Sequence, residues 1–599
     1  MNLFDFYAQN SNLINSIGIN MLLGLSLYVT LTSGQLALGN VGFMSIGGFV
    51  SAILTTRLNV PFALAVAAGM VAAMLVAYVL GLPLLRLRGV FLAIATLGFG
   101  EVVRVLFLNT DQIVNDGLHT LGIKLSAPLV ITGGPLGLNG IAQLTQGWMI
   151  LLAVVAAACF FARLRSSQVG YAFAAIREDE DAAAATGIDS YRYRMLAFVI
   201  AAALAALAGA LDAHLHSFIA PDDYSFAKAV NILMYAIVGG TILYLGTMLG
   251  AALLTLTPQI LDALDQLSGR TFAPLTWLKN YPEAFNGLLL LAVIILLPGG
   301  LGSLLALPGR WIKRSRTVPT AATTVESGAV PQLVPIAPNA APLLTLADVS
   351  RSFGGVQALQ NISFNVTSGT IHGVIGPNGA GKTTLFNVIS GLIPPSSGQL
   401  TFKGRAIGGQ PAHKIATAGV TRTFQNIRLF RTLSVLENLQ VGQHRTYREN
   451  LFAHIFSLPV ERQAAAMRRT AAYNLLTLVG LRDYADAPAA SLAYGDQRRL
   501  EIARALAAQP DLLLLDEPAA GMNETETARL TVLLRELLAR GVTILLVEHH
   551  MSLVMDVCSQ LTVLNFGQKM AEGAPEQISN DPLVIDAYLG REDSDPVLT

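Results

Sequence analysis

Charge is scarce in this sequence and cysteine nearly absent. Only 13% of its 599 residues are charged and 53% are hydrophobic, too oily for one soluble enzyme, so part of the chain is expected to lie in lipid. The formal net charge is zero, so there is no basic excess and nucleic acid is not expected as a partner. Cys159 and Cys558 lie in opposite halves, which excludes a disulfide framework and a Cys-based metal site. No Lys or Arg precedes Arg57, so the N-terminus lacks the positive region of a signal peptide. Its first apolar stretch is expected to be a retained membrane helix.

The charge is also uneven. Residues 1–316 hold 17 basic and 15 acidic side chains, which leaves 46 charged groups for the other 283 residues. A transmembrane domain is therefore expected over 1–316. A spanning helix needs about 20 mostly apolar residues, and such stretches run near 13–33, 36–56, 60–84, 89–109, 147–164, 195–218, 228–261 and 286–306. The 228–261 stretch is too long for one span and is interrupted at Gly239-Gly240 and Gly246, so about nine spans are expected. Basic loops set orientation. Arg86 and Arg88, then Arg163, Arg165, Arg177, Arg192 and Arg194, then Arg310, Lys313, Arg314 and Arg316 all mark cytoplasmic segments under this reading.

Within the loop between spans five and six, residues 170–186 are Ala-rich, stopped by Gly187, and carry the acidic run Glu178, Asp179, Glu180, Asp181. This suits a short helix with a Gly stop. It reads either as a solvated surface helix or as a docking element for the soluble half. Ionisable groups in spans usually have a role. Glu101 and Arg104, spaced i,i+3, read as a structural ion pair ahead of a substrate site, and Asp212, His214 and His216 as groups reaching the outer interface.

Residues 317–343 contain five prolines among Ala, Thr and Val, the composition of an extended tether spanning roughly 30 Å. From Leu344 to the end, strand-like and helix-like segments alternate as in an α/β domain. Gly376-Pro377-Asn378-Gly379-Ala380-Gly381-Lys382-Thr383-Thr384 follows the apolar Val374-Ile375 and precedes a helical run. This is the strand, loop and helix order of a phosphate cradle, in which backbone N–H groups, the helix N-terminus and Lys382 face phosphate oxygens and Thr383 offers a hydroxyl to Mg²⁺. About 130 residues later, Leu512–Leu515 runs into Asp516 and Glu517. A buried strand ending in two carboxylates can divide labour, Asp516 holding Mg²⁺ through water and Glu517 polarising an attacking water.

Gln425 within Thr423-Phe424-Gln425-Asn426, the run Leu492-Ala493-Tyr494-Gly495-Asp496-Gln497, Asn523 and the sequence Leu545-Leu546-Val547-Glu548-His549 complete an ordered set. Together with the preceding motifs it resembles the ATP-binding-cassette family over 344–599. The resemblance implies ATP and Mg²⁺ as ligands and roles by position. Phe353 would stack on adenine, Gln425 would sense the γ-phosphate and Mg²⁺, Leu492–Asp496 would be the signature motif, and His549 would be the switch histidine. One departure stands out: Ala493 occupies the signature serine position, so that hydroxyl is missing and only backbone groups near Gly495 remain for an anion. The family's signature acts on nucleotide held by an opposite ATPase domain, which implies a second ATPase and a second permease subunit, or a second copy of this chain.

Residues 25–39, 84–97 and 175–180 in the membrane half, with Leu492–Arg504 and Ala587–Gly590, resemble branched-chain (hydrophobic) amino acid uptake systems. The expected architecture is an all-α polytopic membrane domain followed by an α/β P-loop cassette, a permease fused to its ATPase in a bacterial-type cytoplasmic membrane, with the ATPase in the cytoplasm. An extracytoplasmic solute-binding protein and a small-molecule solute are implied partners, with membrane lipid around the spans. Relatives serving urea or amides, a fused exporter and a non-transporting sensor are the alternatives. The acidic loop and the basic Arg428 and Arg431 predict that the loop helix docks beside Gln425, with Phe173 and Ile176 supplying apolar packing.

Overall fold

The computed structural model describes residues 3–123, 127–241, 243–267, 281–304, 342–447 and 450–589. Residues 317–341 of the expected tether, and Arg310, Lys313, Arg314 and Arg316, fall outside this set. The chain divides into two units, one of residues 1–166 with 191–319, the other of 167–190 with 320–599. The loop between spans five and six thus groups with the C-terminal residues.

In the first unit helices occupy all nine positions where spans are expected. Among the described residues only six are long and apolar enough to cross a bilayer, with Phe226–Gly239 and Ala284–Leu296 apolar but shorter, so these lengths support six spans and leave the expected nine as an expectation. Phe91, Leu151 and Ile295 stand exposed on helix surfaces, as lipid-facing side chains do. Small residues let helix backbones touch. A Cβ on Gly47 would lie 2.2 Å from the Ala206 carbonyl oxygen, and one on Gly209 2.0 Å from that of Met44, the close approach that membrane helix packing exploits. The break expected at Gly239-Gly240 is present: one helix ends at Gly239, Gly240 has φ 84°, and the next begins at Tyr244.

Arg104 pairs with Glu101 at 2.6 Å and also with Asp222 at 2.6 Å, a third member invisible to helical spacing. His214 departs from expectation. Rather than reaching an interface, it is fully buried, with Nε2 2.9 Å from the Thr55 hydroxyl and Nδ1 2.8 Å from the Ala210 carbonyl.

The second unit is built on a six-stranded sheet in the order Gln568–Gly573, Gln560–Asn565, Ile371–Ile375, Thr543–Val547, Leu512–Asp516, Val420–Arg422. Only the Gln568–Gly573 edge strand is antiparallel. Every residue of strands 371–375, 512–516 and 543–547 is buried, which explains why they read as continuous apolar runs rather than alternating ones. A four-stranded antiparallel sheet starts the unit.

His372 sits within the central strand, with Nε2 2.8 Å from the Thr562 hydroxyl and its ring stacked on Phe364. Burial pushes its imidazole down to about 4 from an ordinary 6.5. The unfolded chain therefore binds this proton more readily. Stability from the neutral ring is intact above 6.5 and is lost as pH falls from 6.5 toward 4, at up to about 1.4 kcal/mol per pH unit. Denaturant unfolding of the full chain across that range should show the slope, and His372→Gln should reduce it; an equal slope in both proteins assigns it to other groups.

Candidate functional site

Strand register brings the motifs to one edge. Val374 pairs with Val547, and Val547 with Asp516, so the phosphate loop, the carboxylate pair and His549 all leave the sheet at the carboxyl ends of adjacent parallel strands. That is where α/β sheets bind ligands. Gly376 closes the turn: it has φ 152°, and a Cβ there would lie 2.1 Å from the Leu564 carbonyl oxygen. Gly381, with φ 99°, precedes helix Lys382–Ile389.

Lys382 is buried, and its ammonium donates to the carbonyls of Gly376 at 2.6 Å and Pro377 at 2.9 Å. Burial lowers its pKa, while Glu517 and Asp516 oppose that shift. A cleft of about 550 Å³ is lined by Val356, Gln357, Ala358, Gln360, Asn378 through Thr384, Gln425, Glu517, His549, Phe566 and Gly567.

Three residues separated widely in sequence meet there. Glu517 Oε2 accepts from Gln425 Nε2 at 3.0 Å, and Glu517 Oε1 lies 3.0 Å from His549 Nε2. Glu517 has φ 47° and donates its own N–H to the Val547 carbonyl, so the neighbouring strand holds a backbone conformation that side chains disfavour. A carboxylate fixed by two donors presents its remaining lone pairs in a set direction.

Asp516 is fully buried. Its Oδ2 accepts from Arg422 at 3.0 Å, while Oδ1 has no partner among the described residues. Burial raises its pKa and Arg422 opposes the rise. A buried carboxylate oxygen with unused acceptor capacity suits a hydrated divalent cation, and Asp516, Thr383 and Gln425 line one adjoining cleft. Among the described residues no group of three His, Cys, Asp or Glu side chains forms a metal cage. Mg²⁺ generally binds through few protein ligands plus water and phosphate.

Sequence reasoning missed the residues that hold this site in place. Arg422 also donates to Asn387 and Ser390. Glu548 is buried and accepts from the N–H groups of Ala519, His549 and His550, tying the stretch after Glu517 to the His549 turn. Arg498, Glu501 and Arg504 on helix Tyr494–Ala507 are almost wholly buried. Arg498 donates to the carbonyls of Phe424 and Gln425, Glu501 accepts from the N–H groups of Phe424 and Arg428, and Arg504 donates to the Arg428 carbonyl. Their i,i+3 spacing was the available signal, and it resembles that of any solvated helix face.

Not every expected residue lines the cleft. Phe353 ends its strand 43% exposed, with the Arg351 guanidinium 4.6 Å from its ring centroid, and is not among the lining residues. Neither are Leu492, Tyr494, Gly495 and Asp496; Gly495 and Asp496 line a separate small cleft with Met522 and Glu526. Ala493 is the N-cap of the signature helix and makes no side-chain cap bond. Asn523 caps helix Glu524–Ala539 in a capping box with Glu526.

The acidic loop docks where its charge predicts. Asp179 and Asp181 lie 3.2 and 3.0 Å from Arg428 Nη1, three residues beyond Gln425. Glu178 accepts from the Thr432 N–H at 3.0 Å and from its hydroxyl. Asp179 also caps helix Glu180–Ala185. Helix Gln168–Glu178 packs on helix Val435–Gly442, and Phe173 and Ile176 are buried. Arg431 is exposed.

Comparison with known proteins adds to this geometry. The family described as branched-chain amino acid transport system / permease component matches residues 10–298, and ABC transporter matches 359–520. The family described as branched-chain amino acid ATP-binding cassette transporter matches 568–594. The high-affinity branched-chain amino acid transport ATP-binding protein LivG of Salmonella typhimurium is 46% identical over 250 residues, 42% of this chain and 98% of its own length. The chain belongs to the branched-chain amino acid ABC transporter family. BraF of Pseudomonas aeruginosa, described in the same words, is 44% identical over the same shares of each chain. A probable LivG of Archaeoglobus fulgidus is 34% identical over 253 residues, 42% of this chain and 97% of its own. In this member of the branched-chain amino acid ABC transporter family, permease and nucleotide-binding ATPase are fused in one multi-pass membrane chain.

Removing one charge from the buried signature-helix network leaves the others uncompensated. Glu501→Ala should destabilise the second unit by about 3–5 kcal/mol, read as a lowered unfolding midpoint of the full chain. A loss under about 1 kcal/mol, the scale of an exposed pair, sinks the assignment.

Proposed function

We propose that this chain is the permease and ATPase of an ATP-driven importer of branched-chain amino acids in a cytoplasmic membrane. The observation carrying this reading is the Gln425–Glu517–His549 cluster on the phosphate-loop cleft, in a chain whose N-terminal half matches the permease family. ATP would lie along that cleft, its phosphates met by N–H groups of Asn378–Thr384 and by the Lys382 ammonium, which would exchange its carbonyl partners for phosphate oxygens. Mg²⁺, when bound, neutralises charge developing on the β- and γ-phosphates. Thr383, Gln425 and the free oxygen of Asp516 are the residues that would hold it. Glu517 would accept a proton from the attacking water, oriented for this by Gln425 and His549. His549 would also contact the γ-phosphate.

The signature residues lie outside this cleft, which supports a composite site closed by the Leu492–Asp496 segment of an opposite ATPase. A second permease and a second ATPase, or a second copy of this chain, would supply it, and an extracytoplasmic binding protein would deliver the solute. The ATPase would lie in the cytoplasm, on the side of the 167–190 loop.

Glu517→Gln should cut ATP hydrolysis by about 10²–10⁴, the usual contribution of a general base, while ATP stays bound. The wild-type assembly, reconstituted with candidate binding proteins, should accumulate labelled leucine, isoleucine or valine only with ATP. ATP turnover without uptake would instead favour a sensor, and uptake of urea or amides a different cargo.

The loop contact has its own test. Reversing Glu178, Asp179 and Asp181 to Lys should abolish uptake while basal hydrolysis persists. Phe173→Ala should cost more stability, about 3–5 kcal/mol, than loss of the exposed pairs at about 0–1 kcal/mol each. Unaltered coupling after charge reversal rejects the contact as the transmission point.

A further inference from the structure

Helix Val90–Thr120 is one of the six long and apolar enough to cross a bilayer. Glu101 and Arg104 lie well inside both of its ends, roughly 17–21 Å along the axis from its first residue. Helical spacing alone would make them a neutral pair. The fold adds Asp222 from the turn Pro221–Tyr224, so one guanidinium faces two carboxylates and the group carries one negative charge. Nor is the group enclosed, since the Glu101 and Asp222 side chains are 47% and 71% exposed. Charge at that depth is costly against acyl chains, and ionisable groups within spans face a bundle interior or a water-filled path. A purely structural pair would be neutral and covered, and this group is neither.

Its bonding leaves capacity for a ligand of both signs. Arg104 Nε donates to the two Glu101 oxygens at 3.0 Å, Nη2 donates to Glu101 Oε1 at 2.6 Å, and Nη1 donates to Asp222 Oδ1 at 2.6 Å. A guanidinium has one N–H on Nε and a pair on each Nη, so one on Nη1 and one on Nη2 stay available to a carboxylate. Asp222 uses only Oδ1, which leaves Oδ2 for an ammonium. Directly beside these charges, Glu101 lines a small recess with Leu38, Val41, Leu97, Phe226 and Ala229. The Phe226 ring stands exposed at its edge. Anion-binding, cation-binding and apolar surfaces are thus adjacent.

We propose that Glu101, Arg104, Asp222 and this recess form a solute site in the permease for the zwitterion of a branched-chain amino acid. The solute carboxylate takes the free N–H groups of Arg104, its ammonium lies between Asp222 and Glu101, and its branched side chain enters the recess. The uncompensated carboxylate asks for a cationic group and the guanidinium for an anionic one. Urea and simple amides carry neither, so the site discriminates against them. The inference rests on the reading of this chain as an importer of branched-chain amino acids.

Equilibrium dialysis of labelled leucine against the assembled transporter in lipid nanodiscs, without binding protein, tests the site. Leucine should bind and be displaced by valine. At equal concentration it should not be displaced by 4-methylpentanoate, which lacks the ammonium, or by 3-methylbutylamine, which lacks the carboxylate. Asp222→Asn, at an exposed position, should lower leucine affinity about 10–100-fold, the scale of a lost hydrogen bond to a charged group. Its unfolding midpoint and basal ATP hydrolysis should be unchanged. Phe226→Ala should weaken leucine and leave alanine binding as it was, a change in preference that a merely structural role would not produce. Unchanged leucine affinity in Asp222→Asn, or displacement by either analogue, overturns the site. An assembly that imports leucine with its binding protein yet binds none in the nanodisc also overturns it and leaves the importer reading standing. An assembly that imports no branched-chain amino acid overturns that reading and the inference with it.

Discussion

The second unit depends on three charges removed from water. Arg498, Glu501 and Arg504 lie within two turns of the signature helix, and all are essentially inaccessible. Burying such charges is costly unless each finds partners. Here the partners are largely backbone groups of residues 424–428, the stretch that contains Gln425. Glu501 accepts from both ends of that stretch, while the two arginines take the carbonyls of Phe424, Gln425 and Arg428. The segment is thereby fastened to the helix whose N-terminus bears the signature. On its other side Arg428 faces Asp179 and Asp181. The signature helix, Gln425 and the acidic loop's anchor are therefore joined through one short stretch of backbone.

A second constraint is the strand register. Three neighbouring parallel strands end level, so Gly376, Glu517 and His549 emerge side by side although about 170 residues separate the first from the last. Glu517 accepts an unfavourable φ to face the cleft, and Asp516 divides its oxygens between Arg422 and an unused position. Glu548 underpins both, gathering three backbone N–H groups from the stretches on either side.

What was legible in the sequence was what is local. Lys382, Asp516 and Glu517 could be read because strand, loop and helix succeed one another within a few residues, whereas His549 came only from the family resemblance. The helix break at Gly239-Gly240 was legible for the same reason. Arg422 and Glu501 were not, since they reach chain segments tens of residues away, nor was the link from Glu548 to Ala519, and a charged residue alone does not reveal that it is buried. The docking loop lies between these cases. Its four acids and the basic segment after Gln425 suggested complementarity, but only the fold selects Arg428 rather than Arg431. His214 was misjudged because a histidine near a helix end reads as interfacial, whereas a hydroxyl from a distant helix satisfies it inside.

Residues 167–190 carry one more consequence. They belong by sequence to a stretch between two apolar helices, yet they group with the ATPase residues, and Phe173 and Ile176 are buried. Two dozen residues encoded well upstream of the first strand of the cassette thus contact it more than they contact the helices on either side of them in sequence. A gene fragment starting at residue 344 would encode every nucleotide-binding motif and lack the residues that pack on helix Val435–Gly442. Covalent fusion keeps that seat's occupant at high local concentration from the moment of synthesis.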